Sequence, residues 1–184
     1  MSRPSGPWAL AVDVGGTKTA LAAVGPEGEI LERRTAPTRT GGDDVERVAA
    51  LVAEAVADWG APLAVGTGWP EYVTAEGRLT SREVLTWAQQ PAEVLAELPG
   101  LVGRPVVVES DVRLGALGEA RFGAGRGARS MLYISLGTGL SSTLVLGSAP
   151  WSGARGEAIG FGEWPVPAAV GAAPAPRPTL EPFA

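Results

Sequence analysis

An acidic residue followed by two glycines, a threonine and a lysine can hold a phosphate, and this chain carries that set at Asp13-Val14-Gly15-Gly16-Thr17-Lys18. Glycines lacking side chains let backbone N–H groups approach an anion, Thr17 and Lys18 add donors, and Asp13 can orient a metal-bound water. Apolar runs flank the glycines at Trp8 to Val12 and Ala20 to Val24, so the stretch reads as a β-hairpin. Two readings stand side by side at this point. The glycines either supply positive φ to an ordinary hairpin, or they form a phosphate cradle. The strand-to-helix P-loop is excluded, because no G-x-x-x-x-G-K-[ST] occurs.

Two further stretches carry chemistry. The apolar run Pro105 to Val108 delivers Glu109-Ser110-Asp111 at its end. Asp111 there can cap the helix that follows, and it can also be a carboxylate at the carboxyl end of a parallel strand, where α/β sheets place ligands. Further on, Met131 to Leu136, Gly137-Thr138-Gly139 and Leu140 to Leu146 repeat the opening pattern of strand, glycine–threonine turn and strand. Two such turns facing each other could clamp a polyphosphate. Histidine and cysteine are both absent. Ser-His-Asp catalysis, an imidazole base, a thiolate nucleophile and Cys-ligated zinc are thereby excluded, leaving carboxylates or lysine for acid–base work.

These groups need a scaffold. Ile30 to Thr35 reads as a third, edge strand after the Pro26-Glu27-Gly28-Glu29 turn, giving a three-stranded meander. Asp43 or Asp44 caps a helix with apolar positions at Val45, Val48, Ala49, Leu51, Val52, Ala55, Val56 and Trp59, ended by Gly60. Leu63 to Val65 follows as a strand leading into a Gly66-Thr67-Gly68-Trp69-Pro70 turn, and the crossover makes that strand parallel in the same sheet. Tyr72-Val73 and Arg78 to Thr80 read as small strands around a Glu76-Gly77 turn. Pro91 starts a helix through Leu98 that Pro99-Gly100 stops. A helix from Asp111 through Arg121 buries Leu114, Leu117 and Ala120, and a glycine/arginine loop follows at Gly123 to Arg129. Ala168 to Ala184 is a Pro/Ala-rich tail.

At 184 residues, with 45% hydrophobic and 19% charged residues, the composition is that of a globular protein with a real core. A net charge of -5 argues against a basic nucleic-acid-binding surface. No apolar run approaches the roughly 20 residues needed to cross a bilayer, and no signal-peptide core precedes Asp13. No nucleic acid and no membrane are therefore expected as partners, and a cytoplasmic protein is the default.

Taken together, Asp13-Val-Gly-Gly-Thr-Lys, then Glu109-Ser-Asp111-Val-Arg-Leu-Gly-Ala-Leu-Gly-Glu119, then Tyr133-Ile-Ser-Leu-Gly-Thr-Gly139 resemble the ROK family of sugar kinases and repressors. The second stretch matches the family's E-N-D-x-N-x-x-A-L-G-E pattern, with Ser110 where asparagine is usual. Gly153-Ala-Arg-Gly156, Phe161-Gly162 and Pro165-Val166 are similar to the segment that usually contains G-E-x-G-H. Thr179-Leu180-Glu181 looks like the end of the family's zinc motif.

The resemblance implies an α/β, ribonuclease H-like/actin-like ATPase fold. Its mixed sheet has an antiparallel meander followed by parallel strands with flanking helices, and ATP and sugar bind between two lobes. An N-terminal lobe over residues 1–110, the start of a second lobe over 111–167 and a Pro/Ala-rich end over 168–184 follow from it. It also implies ATP-dependent phosphorylation of a hexose or N-acetylhexosamine, with ATP and Mg²⁺ required. Asp111 would be the general base, and Asp13 would hold Mg²⁺ through water. Gly15, Gly16, Thr17, Lys18, Gly137, Thr138 and Gly139 would cradle the phosphates, and Ser110, Asp111, Glu163 and Glu181 would meet the sugar. A homodimer is the assembly that the resemblance suggests.

The departures from the family pattern carry their own expectations. The glutamate of G-E-x-G-H falls at Gly160, and its histidine falls at Glu163. Without cysteines the family's structural zinc is not expected, and the chain reads as lacking the family's C-terminal portion. The alternative is therefore a catalytically degenerate relative that binds sugar or nucleotide. DNA binding is not expected, because only seven residues precede Trp8 and no helix-turn-helix fits there. An actin-like ATPase acting on a non-sugar substrate, such as a dehydratase activator, ranks last for want of iron–sulfur cysteines.

Overall fold

The computed structural model describes residues 3–38, 44–81, 91–137 and 139–164, with only the backbone of 44–46 and 91–93. The chain divides into two compact units, Met1–Asp111 and Val112–Ala184.

The first unit is built on one five-stranded sheet. Strands β1 (Ala9–Val14), β2 (Lys18–Val24) and β3 (Ile30–Pro37) form an antiparallel meander, while β4 (Val65–Trp69) and β5 (Val106–Ser110) lie parallel to β1, in the order β3-β2-β1-β4-β5. Alternation decides which face is buried. In β1, Leu10, Val12 and Val14 point inward while Ala9, Ala11 and Asp13 point the other way. Helices α1 (Asp44–Trp59) and α2 (Pro91–Val102) pack together. They share one core with the sheet, in which Val48, Leu51, Val52, Ala55, Val94 and Leu98 meet Leu10, Val12, Leu21 and Val65. Trp8 packs edge-on against Trp59 at 6.4 Å between ring centres, and the Arg34 guanidinium lies over the Trp59 ring. Gly60, at φ +94°, ends α1 as expected.

Three expectations need correction here. The Gly66-Thr67-Gly68 stretch is not a turn: it forms the middle of β4, which is hydrogen-bonded to β1 on one side and β5 on the other. A strand paired along both edges tolerates glycines that its low β-propensity would otherwise exclude. Pro99 does not stop α2, which runs through it to Val102. The buried stripe Val94, Leu98 and Val102 outweighs the hydrogen bond that proline removes, and the left-handed Gly103, at φ +61°, makes the stop. Tyr72-Val73 and Arg78 to Thr80 form only a single bridge, between Val73 and Leu79, around the expected turn. The Asp43 cap lies outside the described residues.

The second unit begins within helix α3 (Asp111–Phe122), which follows β5 directly. A three-stranded antiparallel sheet comes next: β6 (Ser130–Leu136), β7 (Leu140–Leu146) and the short β8 (Ala149–Pro150), with a 3-10 turn at Phe161–Glu163. The buried side of α3 is Val112, Arg113 and Ala116 rather than Leu114, Leu117 and Ala120, which are only half-buried. Gly115 on this helix makes room for the Tyr133 side chain. A Cβ on Gly115 would sit 2.9 Å from the tyrosine hydroxyl.

Candidate active site

Parallel strands bring their carboxyl ends to one sheet edge, and β1, β4 and β5 do so here. Their register places Asp13 opposite Gly68, and Gly68 opposite Glu109. Asp13 and Glu109 therefore share a row with a glycine between them, their backbones roughly 10 Å apart at ordinary strand spacing. The row lies on the face opposite the hydrophobic core, since Val12 and Val14 point into that core. One residue beyond Ser110, at the end of β5, Asp111 opens α3 and is exposed. Ser110 is fully buried, aligned with buried Trp69, and its backbone N–H donates to Glu109 Oε1 at 2.8 Å. Thr67 braces this edge, accepting from Trp69 Nε1 at 3.0 Å and donating to the Val107 carbonyl at 3.3 Å. Asp13 and Asp111 thus belong to the carboxyl edge of one sheet in one unit.

Asp13 is solvent-exposed as a residue, yet enough protein surrounds its carboxyl to raise its pKa above the ordinary 3.8 through lost hydration. The Lys18 ammonium is the smaller, opposing influence. A carboxylate short of hydration is well disposed toward a cation that restores the missing charge partner.

The hairpin turn removes one of the two readings of its glycines. Neither Gly15 nor Gly16 has positive φ, so turn geometry is not what selects them. At Gly15 the reason is close approach: its N–H donates to the Lys18 carbonyl at 3.0 Å, and a Cβ would sit 3.0 Å from that same oxygen. At Gly16 a Cβ would meet nothing within 4 Å. The bare backbone there faces open space that a side chain would fill, which fits a cradle for a phosphate oxygen. Thr17 and Lys18 are both exposed beside it.

Thr38, which sequence reasoning did not single out, locks this turn. Its hydroxyl donates to the Gly15 carbonyl at 2.8 Å, and its backbone N–H donates to the Thr17 carbonyl at 2.9 Å. Because its one hydroxyl proton is committed to Gly15, the 2.9 Å contact with the Thr19 hydroxyl has Thr19 as donor. Both threonines are fully buried.

In the second unit, Leu136 pairs with Leu140 across the other glycine turn, whose Gly137 N–H donates to the Gly139 carbonyl at 3.0 Å. A Cβ on Gly137 would also meet open space. Glu163 closes the 3-10 turn and is exposed. The neighbouring Gly162 lies so close to β7 that a Cβ would clash with the Leu140 carbonyl. Thr138, Pro165-Val166 and Thr179-Leu180-Glu181 lie outside the described residues. Among the described residues no helix is long and apolar enough to cross a membrane. No group of three or more acidic side chains is placed among them to cage a metal ion. One carboxylate acting through water, with phosphates completing the shell, is how Mg²⁺ is ordinarily held at such sites, and Asp13 suits that role.

The ROK family model matches residues 9–174. A glucokinase of Streptomyces coelicolor is 36% identical over 154 residues, 83% of this chain and 48% of the relative. A kanosamine kinase of Amycolatopsis mediterranei is 35% identical over 155 residues, 80% of this chain and 48% of the relative. Among solved structures, a ROK family glucokinase from Streptomyces griseus in complex with glucose and AMPPNP superposes with a TM-score of 0.75 at 35% identity, covering 86% of this chain and 51% of that one. The chain spans about half the length of these relatives. It belongs to the ROK family and has the actin-like ATPase fold.

Proposed function

We propose that this chain carries the phosphate-binding turn and the catalytic base of an ATP-dependent sugar kinase, acting on a hexose or N-acetylhexosamine. The observation that supports this most is the placement of Asp13 and Asp111 on the carboxyl edge of one parallel set of strands, beside a glycine turn with open backbone. The glucose and AMPPNP bound in the Streptomyces griseus structure support a sugar and ATP as the two substrates.

Phosphoryl transfer asks a protein for positioning and charge more than for covalent chemistry. In this reading the N–H groups of Gly15 and Gly16, with Thr17 and Lys18, hold the phosphates of ATP, and Gly137, Thr138 and Gly139 are proposed as further phosphate contacts. Mg²⁺ would be held by Asp13 through water, where it supplies neutralisation of phosphate charge. Asp111 accepts the proton of the sugar hydroxyl as that oxygen attacks the γ-phosphorus and the bond from the γ-phosphorus to the bridging oxygen breaks, releasing ADP; the proton acceptance is a task open to carboxylates in a chain without histidine. Ser110, Glu163 and Glu181 complete the sugar's polar contacts. Mg-ATP and sugar are the small-molecule partners; zinc is not expected, and a homodimer is the assembly proposed.

A second reading is a relative that binds sugar or nucleotide without turnover, favoured by Gly160 and Glu163 where the family pattern has glutamate and histidine. The two separate on ADP release from Mg-ATP across a panel of hexoses and N-acetylhexosamines. Release stimulated by one sugar supports the kinase and names its substrate. Calorimetric binding of sugar or ATP with no stimulated release supports the second reading. If a folded chain binds neither, both fail.

A further inference from the structure

Segment 152–163 has almost no regular structure, yet it carries Glu163 and lies against β7 at Gly162. Irregular segments keep one shape only when something outside them fixes it. Most of its own backbone hydrogen bonds are long: Ala158 N–H to the Ser152 carbonyl at 3.4 Å, Gly160 N–H to the Glu157 carbonyl at 3.3 Å and Glu163 N–H to the Gly160 carbonyl at 3.2 Å, against 2.9 Å for Phe161 N–H to the Ile159 carbonyl. At the β7 side, Ser142 donates to the Ile159 carbonyl at 3.3 Å and Ile159 is buried.

The middle of the segment is held from α3. Arg113 has no exposed surface at all, and its Nη1 donates to the Gly156 carbonyl at 3.1 Å. A guanidinium is retained in the interior only where acceptors fix its planar fork, so a fully buried one constrains whatever supplies them. Gly156 is itself buried and sits at φ +87°, a conformation open to glycine and strained for other residues. The anchor and the backbone geometry that presents the carbonyl are thus specified together. Arg113 is also only two residues from Asp111 on the same helix.

We infer that Arg113 is a positioning residue: its buried guanidinium fixes segment 152–163 through the Gly156 carbonyl, and so sets where Glu163 meets the sugar. The part concerning sugar rests on the kinase reading above; the part concerning the segment does not. Arg113→Met keeps the stem and removes the donors, Arg113→Lys keeps the charge and a single donor nitrogen without the planar fork, and Gly156→Ala attacks the same bond without touching the arginine.

The test uses the full chain and reads amide hydrogen exchange over 152–163 against β6 and β7, with hexose and Mg-ATP affinities measured by calorimetry and folding checked by circular dichroism. In Arg113→Met and Gly156→Ala, exchange over 152–163 should quicken about tenfold or more while β6 and β7 change little. Hexose affinity should weaken about tenfold with Mg-ATP affinity kept, and Arg113→Lys should restore part of the loss. Unchanged exchange over 152–163 in both variants overturns the anchor. Faster exchange with hexose affinity intact, or with both affinities falling equally, overturns the positioning role. If the unaltered chain binds no hexose, the kinase reading and the sugar half of the inference fall together, while the exchange measurement still decides the anchor. Should Arg113→Met not fold, Gly156→Ala alone decides it.

Discussion

Thr38, at the end of the third strand, donates its hydroxyl proton to the carbonyl of Gly15, the first glycine of the opening turn, at 2.8 Å. The Thr38 hydroxyl oxygen in turn accepts from the buried Thr19 hydroxyl, so one side chain ties the turn to two strands. Thr38→Val keeps the shape but leaves the Thr19 donor and the Gly15 carbonyl without this partner, a loss of about 1–3 kcal/mol for buried groups. Thermal unfolding should show Tm lower by several degrees, with Thr38→Ser close to the unaltered chain. A Thr38→Val chain of unchanged Tm would show that the turn does not depend on this hydroxyl.

The two glycines of the turn should respond differently to alanine. Gly15→Ala places a Cβ 3.0 Å from the Lys18 carbonyl and forces the hairpin to shift by some tenths of an ångström, costing on the order of 1 kcal/mol. Gly16→Ala meets no protein atom within 4 Å and should leave Tm unchanged. If the open space at Gly16 receives phosphate, Gly16→Ala nevertheless weakens Mg-ATP binding about tenfold or more, read by calorimetry. Intact ATP affinity in that variant would remove the cradle from the account.

Asp13 gives a pH-dependent signature. Its carboxyl titrates above the ordinary 3.8 because protein excludes water from it, so ionising it costs the folded chain more than the unfolded one. That penalty is fully present above the raised pKa and disappears as pH falls to 3.8 and below, where both states hold the proton. Asp13→Asn should therefore raise Tm at pH 7, with the gain fading on acidification. The same variant should lose the Mg²⁺ dependence of ATP binding. A Tm gain of equal size at pH 3 and pH 7 would assign the effect to something other than this carboxyl.

Much of the fold is legible in the sequence because local signals and tertiary demands agree. Apolar alternation around Gly15-Gly16 gives the hairpin, and the 3.6-residue spacing from Val48 to Trp59 gives the first helix with Gly60 as its stop. Where the two disagree, packing wins. Pro99 reads as a breaker, but Leu98 and Val102 on either side of it are buried against the sheet. Gly66 and Gly68 read as a turn, but neighbours on both edges hold them in a strand. Both acidic positions at the strand ends are legible as well, since an apolar run precedes each. Thr38 is not, because its partner at Gly15 is distant in sequence and nothing in the meander marks it. Arg113 is not, because a charged residue on a helix is ordinarily assigned to solvent. The signal available is its place in the E-N-D-x-N pattern, where it stands for the second asparagine.

The central claim is that Asp111 takes the proton of the sugar hydroxyl. The most direct measurement compares γ-phosphoryl transfer from ATP to the preferred hexose in the unaltered chain and in Asp111→Asn, with both affinities measured on the same samples. The account predicts turnover lower by roughly 10²–10⁴-fold with Mg-ATP and hexose affinities within a few-fold of the original. Full turnover in Asp111→Asn would contradict it.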